Sequence, residues 1–150
     1  QPGRPVELCL PADCPVLADE PTLHQIVSNV LANVRIHTPA VARVRVSVAE
    51  EGGYGVLRVA DEGPGMGQQD AERIFDRFFR TGGAEGSGLG MAVVRAAVDA
   101  HGGTVRVTTA PGVGLTVVVA LPSARADGHH RARAAADLET AGEPAGRPTP

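Results

Sequence analysis

The stretch GSGLGMAVVRAAVDAHGG, residues 86–103, opens with three alternating glycines and runs directly into an apolar pattern of helical period that ends at a second glycine pair. Glycine at 86, 88 and 90 strips side chains from a loop, so its backbone N–H groups can turn toward a ligand at no steric cost. Met91, Val94, Val98 and His101 then recur at helical spacing, and Gly102 supplies a C-terminal stop. The first N–H groups of such a helix have no partner within it, and its dipole favours negative charge there. Loop and helix together suit a phosphate, or form a tight loop ahead of a packed helix. The pattern alone leaves both open.

Composition removes the most familiar phosphate folds. All 14 basic residues are arginine and lysine is absent. A Walker A loop, the strand lysine of eukaryotic-type protein kinases and Schiff-base chemistry all need a lysine amine. A dinucleotide-binding turn would need the glycine loop to follow a hydrophobic strand, whereas RIFDRFFRTGGAE precedes it and reads as helix and loop. The net charge of −3 argues against general nucleic-acid binding. Cys9 and Cys14 lack companion residues at metal-ligand spacing and are expected to be free thiols in a reducing, cytoplasmic setting. No apolar run is long enough to span a bilayer, so no membrane contact is expected of this segment. A first residue of glutamine rather than methionine is expected of a piece of a longer protein.

Along the chain, VELCL (residues 6–10) is a short strand candidate. Residues 22–36 form the clearest helix, with Leu23, Ile26, Val27, Val30 and Val34 in an apolar stripe. VARVRVSVAE alternates as a half-buried strand and returns through EGGYG as VLRVAD, a hairpin. QDAERIFDRFF is expected to be a short helix capped by Asp70. After the glycine-loop helix, GTVRVTT and LTVVVALP make a second hairpin. From Ser123 onward both periodicities disappear and Pro, Gly and charge accumulate, so residues 123–150 are expected to be a disordered tail behind a domain of residues 1–122. Two helices, two hairpins and a lead strand predict an α+β fold: a two-layer sandwich with helices on one face of a mixed, mostly antiparallel sheet.

Two further places carry chemistry. On the long helix Asn29 and Asn33 stand four residues apart and stack on one side, beside the apolar stripe. An asparagine carbonyl oxygen can ligate Mg²⁺, a hard ion that fills its remaining positions with water and substrate phosphates, though such a pair also suits a polar helix shoulder. In VADEGPGM a strand delivers Asp61 to a turn holding Gly63 and Gly65. A fixed carboxylate there can accept from the exocyclic amine of adenine, yet acidic glycine turns are also ordinary loops.

Taken in order, SNVLANVRIHTP, DEGPGM, RIFDRFFR and GSGLGMAV resemble the N, G1, F and G2 boxes of the ATP-binding catalytic domain of bacterial sensor histidine kinases. These belong to the superfamily that also holds gyrase and MutL. The resemblance covers about residues 5–122. It implies the Bergerat fold, ATP with Mg²⁺, and membership of a two-component signalling system. By it, Asn33 is the Mg²⁺ ligand, Asn29 lines the phosphate region and Asp61 holds the adenine amine. Gly63, Gly65 and Met66 shape the base pocket, and Gly86, Ser87, Gly88, Leu89 and Gly90 wrap the phosphates. Phe75, Phe78 and Phe79 anchor a lid whose mobile part is RTGGAE, beginning at Arg80.

The chain departs from the family at three places. Val34 and Ile36 stand where the family usually has a small residue and often a basic one, so Arg35 or His37 is left to meet the phosphates, with Arg35 preferred because it is always charged. Gly114 is followed by Leu115 rather than threonine, leaving Thr116 for that place, and the lid is short. Hydrolysing relatives carry a glutamate four residues before the metal-binding asparagine, where it can act as a general base on water; here Asn29 stands there, and an amide cannot take a proton. The γ-phosphoryl is therefore expected to wait for a histidine. No phosphoacceptor box precedes residue 22, and His24, His37 and His101 lie in the wrong contexts. The expected partner is a histidine-bearing dimerisation and phosphoacceptor domain, in the parent protein or a separate chain, with a response regulator reached indirectly. The alternative is a GHKL-type ATPase or a nucleotide-binding regulatory module without phosphotransfer.

Overall fold

The computed structural model describes residues 3–11, 13–81 and 86–125. The expected tail lies, beyond Arg125, outside the described residues, as do Gly82 to Glu85 of the expected lid. Eight elements follow in order: β1 (Val6–Cys9), α1 (Glu20–His37), β2 (Val44–Glu51), β3 (Tyr54–Asp61), α2 (Gln68–Arg73), α3 (Gly90–Ala100), β4 (Thr104–Ala110) and β5 (Gly114–Pro122). The strands form one sheet in the order β1-β2-β3-β5-β4. β1 runs parallel to β2 and every other pair is antiparallel, so the sheet is mixed and mostly antiparallel.

The helices lie where their apolar stripes meet the sheet. On α1, Ile26, Val30 and Val34 recur at intervals of four and are almost completely buried, as are Met91, Val94 and Val98 on α3. Both stripes join one core with Val44, Val59, Val117 and Val119 of the sheet. Full burial of each such side chain stabilises the fold by about 1.5–3 kcal/mol. Tyr54, Val56 and Ala120 form a second, small cluster.

Local capping explains why α1 begins two residues ahead of its sequence pattern. Asp19 is the N-cap: its carboxylate accepts from the Thr22 N–H at 3.0 Å and from the Thr22 hydroxyl at 2.9 Å, with Pro21 in the first turn. The Thr22 backbone bond, chiefly, holds the Asp19 carboxyl below its ordinary range. At the same end of the pair of helices, His101 is the C-cap of α3 and joins Asp19. Its Nδ1 lies 2.7 Å from Ala97 O and its Nε2 lies 3.3 Å from Asp19 Oδ1.

α2 is shorter than expected and is capped by Gly67, not Asp70, which sits in the first turn. It stops at Arg73 because Ile74 and Phe75 turn into the core rather than continuing along a surface helix. The chain then reverses at Phe78, whose φ of 64° breaks any helix and whose N–H donates to Gly88 O at 2.9 Å. β2 likewise starts at Val44 rather than Val41, because Pro39 to Ala42 closes a turn that leaves Val41 exposed. Past the expected boundary at 122, further residues contact the folded unit. Ser123 is fully buried, bridges Val16 and donates to Glu50, and Arg125 binds the carboxylates of Glu50 and Asp13. Cys9 and Cys14 are free thiols, and burial pushes the Cys14 thiol up. Among the described residues no helix is long and apolar enough to cross a membrane.

Candidate functional site

The C-terminal half of α1, the head of α3 and the segments joining β3 to α3 enclose a cleft of about 220 Å³. Asn29, Asn33 and His37 line it from α1 at intervals of four residues, which places them on one helix face. Gly86, Ser87, Gly88 and Gly90 line it from the glycine loop, Met66 from the turn after β3, and Arg80 and Thr81 from the segment after Phe79. The apolar part of the wall is Ala32, Ile36, Ile74, Phe79 and Met91.

The glycine loop is held close to both helices. Gly88 has φ +71°, and a side chain there would bring its first carbon within 2.8 Å of the Phe78 backbone. Glycine is therefore required for the loop to lie against the Phe78 reversal. Asn29 Oδ1 is 3.7 Å from where a Cβ on Gly90 would stand, so the amide of α1 abuts the first turn of α3. The Val93 N–H donates to Leu89 O at 2.9 Å as that turn closes. The N–H groups of Gly90 to Ala92 accordingly form the helix head beside the cleft.

Asp61 ends β3 and is 8% exposed. Its Oδ1 accepts from the Gly63 N–H at 2.8 Å, which orients the carboxylate and leaves the second oxygen for another donor. Gly65 has φ +63°, and any Cβ would collide with Ala110 O, so this turn packs directly on the β4–β5 end of the sheet. Thr109 fastens it there: its hydroxyl donates to Gly114 O at 2.7 Å and accepts from the Met66 N–H at 3.1 Å. Burial depresses the His37 imidazole below its ordinary value, and the Asp61 charge opposes that only in part.

Several sequence candidates are not gathered into the cleft. Arg35 is exposed; it stands two positions from Asn33 and so faces away from the 29-33-37 row, leaving His37 as the basic residue of α1 in the cleft. Asp61, Gly63 and Gly65 border the cleft wall at Met66 without lining it, and Leu89 is set back from it. Phe78, expected as a lid anchor, is 70% exposed; its backbone, not its ring, ties the segment to Gly88, while Phe79 lines the cleft and Phe75 packs on the core. Thr116 pairs with Ala60 and Thr108 and points opposite to Leu115, which lies in the helix-side core. Thr109 is the threonine that reaches the Asp61–Met66 turn. Its signal in the sequence was the strand alternation that puts 105, 107 and 109 on the same face.

A sandwich in which an amide-bearing helix and a glycine loop at a helix head meet at one cleft, with a carboxylate at a strand end on its border, has the make-up of a nucleotide-binding module. The profile of the family described as histidine kinase-, DNA gyrase B-, and HSP90-like ATPase matches residues 18–125, and the chain belongs to that family. It is similar to the sensor-like histidine kinase SenX3 of Mycobacterium bovis, 36% identical over 118 residues that cover 75% of this chain and 29% of SenX3. It is also similar to the probable sensor histidine kinase TcrY of Mycobacterium tuberculosis, 38% identical over 117 residues that cover 74% of this chain and 25% of TcrY. The solved structure of the mycobacterial sensor histidine kinase MprB superposes with a TM-score of 0.69 at 34% identity, over 79% of this chain and 81% of that one. Full-length ShkA in complex with AMPPNP superposes with a TM-score of 0.70 at 33% identity, over 83% of this chain and 26% of ShkA. The chain thus spans less than a third of the length of the curated relatives SenX3 and TcrY.

Proposed function

We propose that this chain binds Mg-ATP in the cleft between α1 and α3 and presents the γ-phosphoryl to a histidine carried by a separate dimerisation and phosphoacceptor domain. The observation that carries this reading is the lining itself: an amide pair, Asn29 and Asn33, with glycine-loop backbone opposite and no carboxylate among the described residues of the lining. Asn33 supplies a neutral oxygen for Mg²⁺, which when bound neutralises phosphate charge. Among the described residues no group of three acidic, histidine or cysteine side chains could cage a metal. That donor set fits an ion shared with the phosphates. The α3 head and the glycine loop hold the phosphate oxygens by backbone N–H groups. Asp61 reads the base, and Asn29, lacking a basic atom, does not activate water. Phosphoryl transfer depends mainly on positioning and electrostatics, so an acceptor imidazole brought in line completes the site.

Of the described histidines, His101 is engaged with Ala97 and Asp19, and His24 is exposed on α1 outside the cleft lining. One observation favours a second reading, hydrolysis by this chain alone: the depressed imidazole of His37 is in the cleft and is a base at neutral pH. Radiolabelled ATP separates the two. Alone, the chain is expected to bind ATP, hydrolyse it barely and take up no label. With a matching histidine-bearing domain, label appears on that partner in an acid-labile form. Brisk partner-free hydrolysis, abolished by His37→Gln, would establish the second reading instead.

His37 also sets a pH dependence. Its folded pKa lies below the ordinary 6.5, so the folded chain binds fewer protons than the unfolded one just beneath that value. The stability contributed by neutral His37 is complete above pH 6.5 and is lost as pH falls through the depressed folded value. A phosphate beside the ring favours the charged form, so ATP binding takes up a proton in that same window. ATP affinity is expected to rise as pH falls below 6.5 in the wild type by more than in His37→Gln. Since protonation of ATP itself is common to both proteins, parallel profiles in calorimetric titrations would remove His37 from the phosphate region.

A further inference from the structure

The segment leading into β1 is fastened to the end of α1 that forms the cleft. The guanidinium of Arg4 donates through one nitrogen to Thr38 O at 2.6 Å and through the other to Val34 O at 3.3 Å. Val34 O already accepts from the Thr38 N–H, so the arginine completes the last turn of α1 from outside, at the negative end of the helix dipole. Thr38, the C-cap, is 5% exposed, and its carbonyl is satisfied by Arg4.

What Thr38 touches gives this brace a consequence. Its methyl stands 3.1 Å from the position of a Cβ on Gly63, the residue whose N–H orients Asp61. His37, its chain neighbour, lines the cleft and interacts with the Asp61 charge. The sheet repeats the connection: Val6 pairs with Val44 and Val44 with Asp61, while Pro5 O accepts from the Val44 N–H at 2.9 Å. Arg4, the start of β1 and Asp61 therefore share one end of the sheet.

We propose that Arg4 is a positioning residue for the nucleotide cleft, holding the last turn of α1 against the Asp61–Gly63 turn and so coupling the segment ahead of β1 to the base and phosphate contacts. This rests on the reading of the cleft as an ATP site. Two carbonyls at separate points suit the planar fork of arginine and not the single point charge of lysine. Displacement of the segment ahead of β1 would loosen Thr38 and, through it, Asp61.

The test compares the 150-residue chain with its Arg4→Ala and Arg4→Lys variants, using Mg-ATP as the calorimetric probe at a temperature where all three remain folded. Arg4→Ala is expected to weaken Mg-ATP binding roughly tenfold, the order that one well-placed hydrogen bond supplies, and Arg4→Lys less, since it retains one carbonyl contact. Amide exchange should quicken at residues 34–38 and 61–66 and stay unchanged in the second half of α3. Unchanged Mg-ATP affinity in Arg4→Ala, even with a lowered melting temperature, would make Arg4 a structural brace only and overturn the proposal. A wild-type chain that fails to bind Mg-ATP would instead overturn the ATP reading beneath it.

Discussion

Asn33→Ala is expected to abolish the Mg²⁺-dependent part of ATP affinity while leaving the fold standing. Asn33 is half-buried on the cleft face of α1, between the core residues Val30 and Val34 but outside their cluster, so truncating it opens no core cavity. Its melting temperature should shift by no more than about 2 °C, as for a substitution outside the core. With no carboxylate among the described residues of the lining, an ion carried by the phosphates would have one side-chain oxygen from Asn33 as its main protein contact in our reading. Removing it should weaken Mg-ATP binding by roughly tenfold or more, the order that metal-site substitutions produce. Titration of ATP with Mg²⁺ and with a chelator checks this. Equal losses under both conditions would show that Asn33 contacts the nucleotide and not the ion.

Asp61→Asn should discriminate between bases. One oxygen of Asp61 is committed to the Gly63 N–H at 2.8 Å, and an asparagine carbonyl can keep that bond. The amide nitrogen then occupies the place of the free oxygen, where it opposes the adenine amine instead of accepting from it. The loss of a hydrogen bond to a charged acceptor amounts to about 1.5–3 kcal/mol, between tenfold and a hundredfold in ATP affinity. Guanine presents a carbonyl at that position, so GTP binding should fall less or improve. ATP affinity equal to that of the wild type would remove Asp61 from the base pocket. Because Asp61 is buried beside Thr38 and the Gly65 turn, amide exchange of residues 61–66 in the ligand-free variant serves as the control for a displaced turn.

These expectations rest on side chains whose directions were not equally legible. On α1 the row Asn29-Asn33-His37 follows from helical spacing alone, and the same spacing turns Arg35 outward. The permanent charge of Arg35 does not bring it into the described lining, because helix geometry sets its direction. On β5, alternation places Leu115 in the core and Thr116 on the other face, while Thr109 of the paired strand meets Leu115 in register and reaches the Met66 N–H. That pairing is a contact between residues distant in the chain, which single-sequence periodicity does not contain.

Local sequence alone determined the elements and the order of their motifs. The apolar stripes of α1 and α3, the alternation of the four hairpin strands and the glycines at 65 and 88 each encode a preference that needs only near neighbours to be expressed. Tertiary structure decided where α2 ends, since Ile74 and Phe75 gain more by burial in the core than by two further helical turns, and the reversal at Phe78 is held by Gly88 from beyond the lid. It also decided that Arg4 caps α1, that Ser123 and Arg125 belong to the folded unit, and that Asp61, His37 and Thr38 meet. Each of these joins groups far apart in sequence. Their carbonyls, carboxylates and apolar surfaces acquire partners only once the sheet has closed in the order β1-β2-β3-β5-β4 and the helices have packed on it.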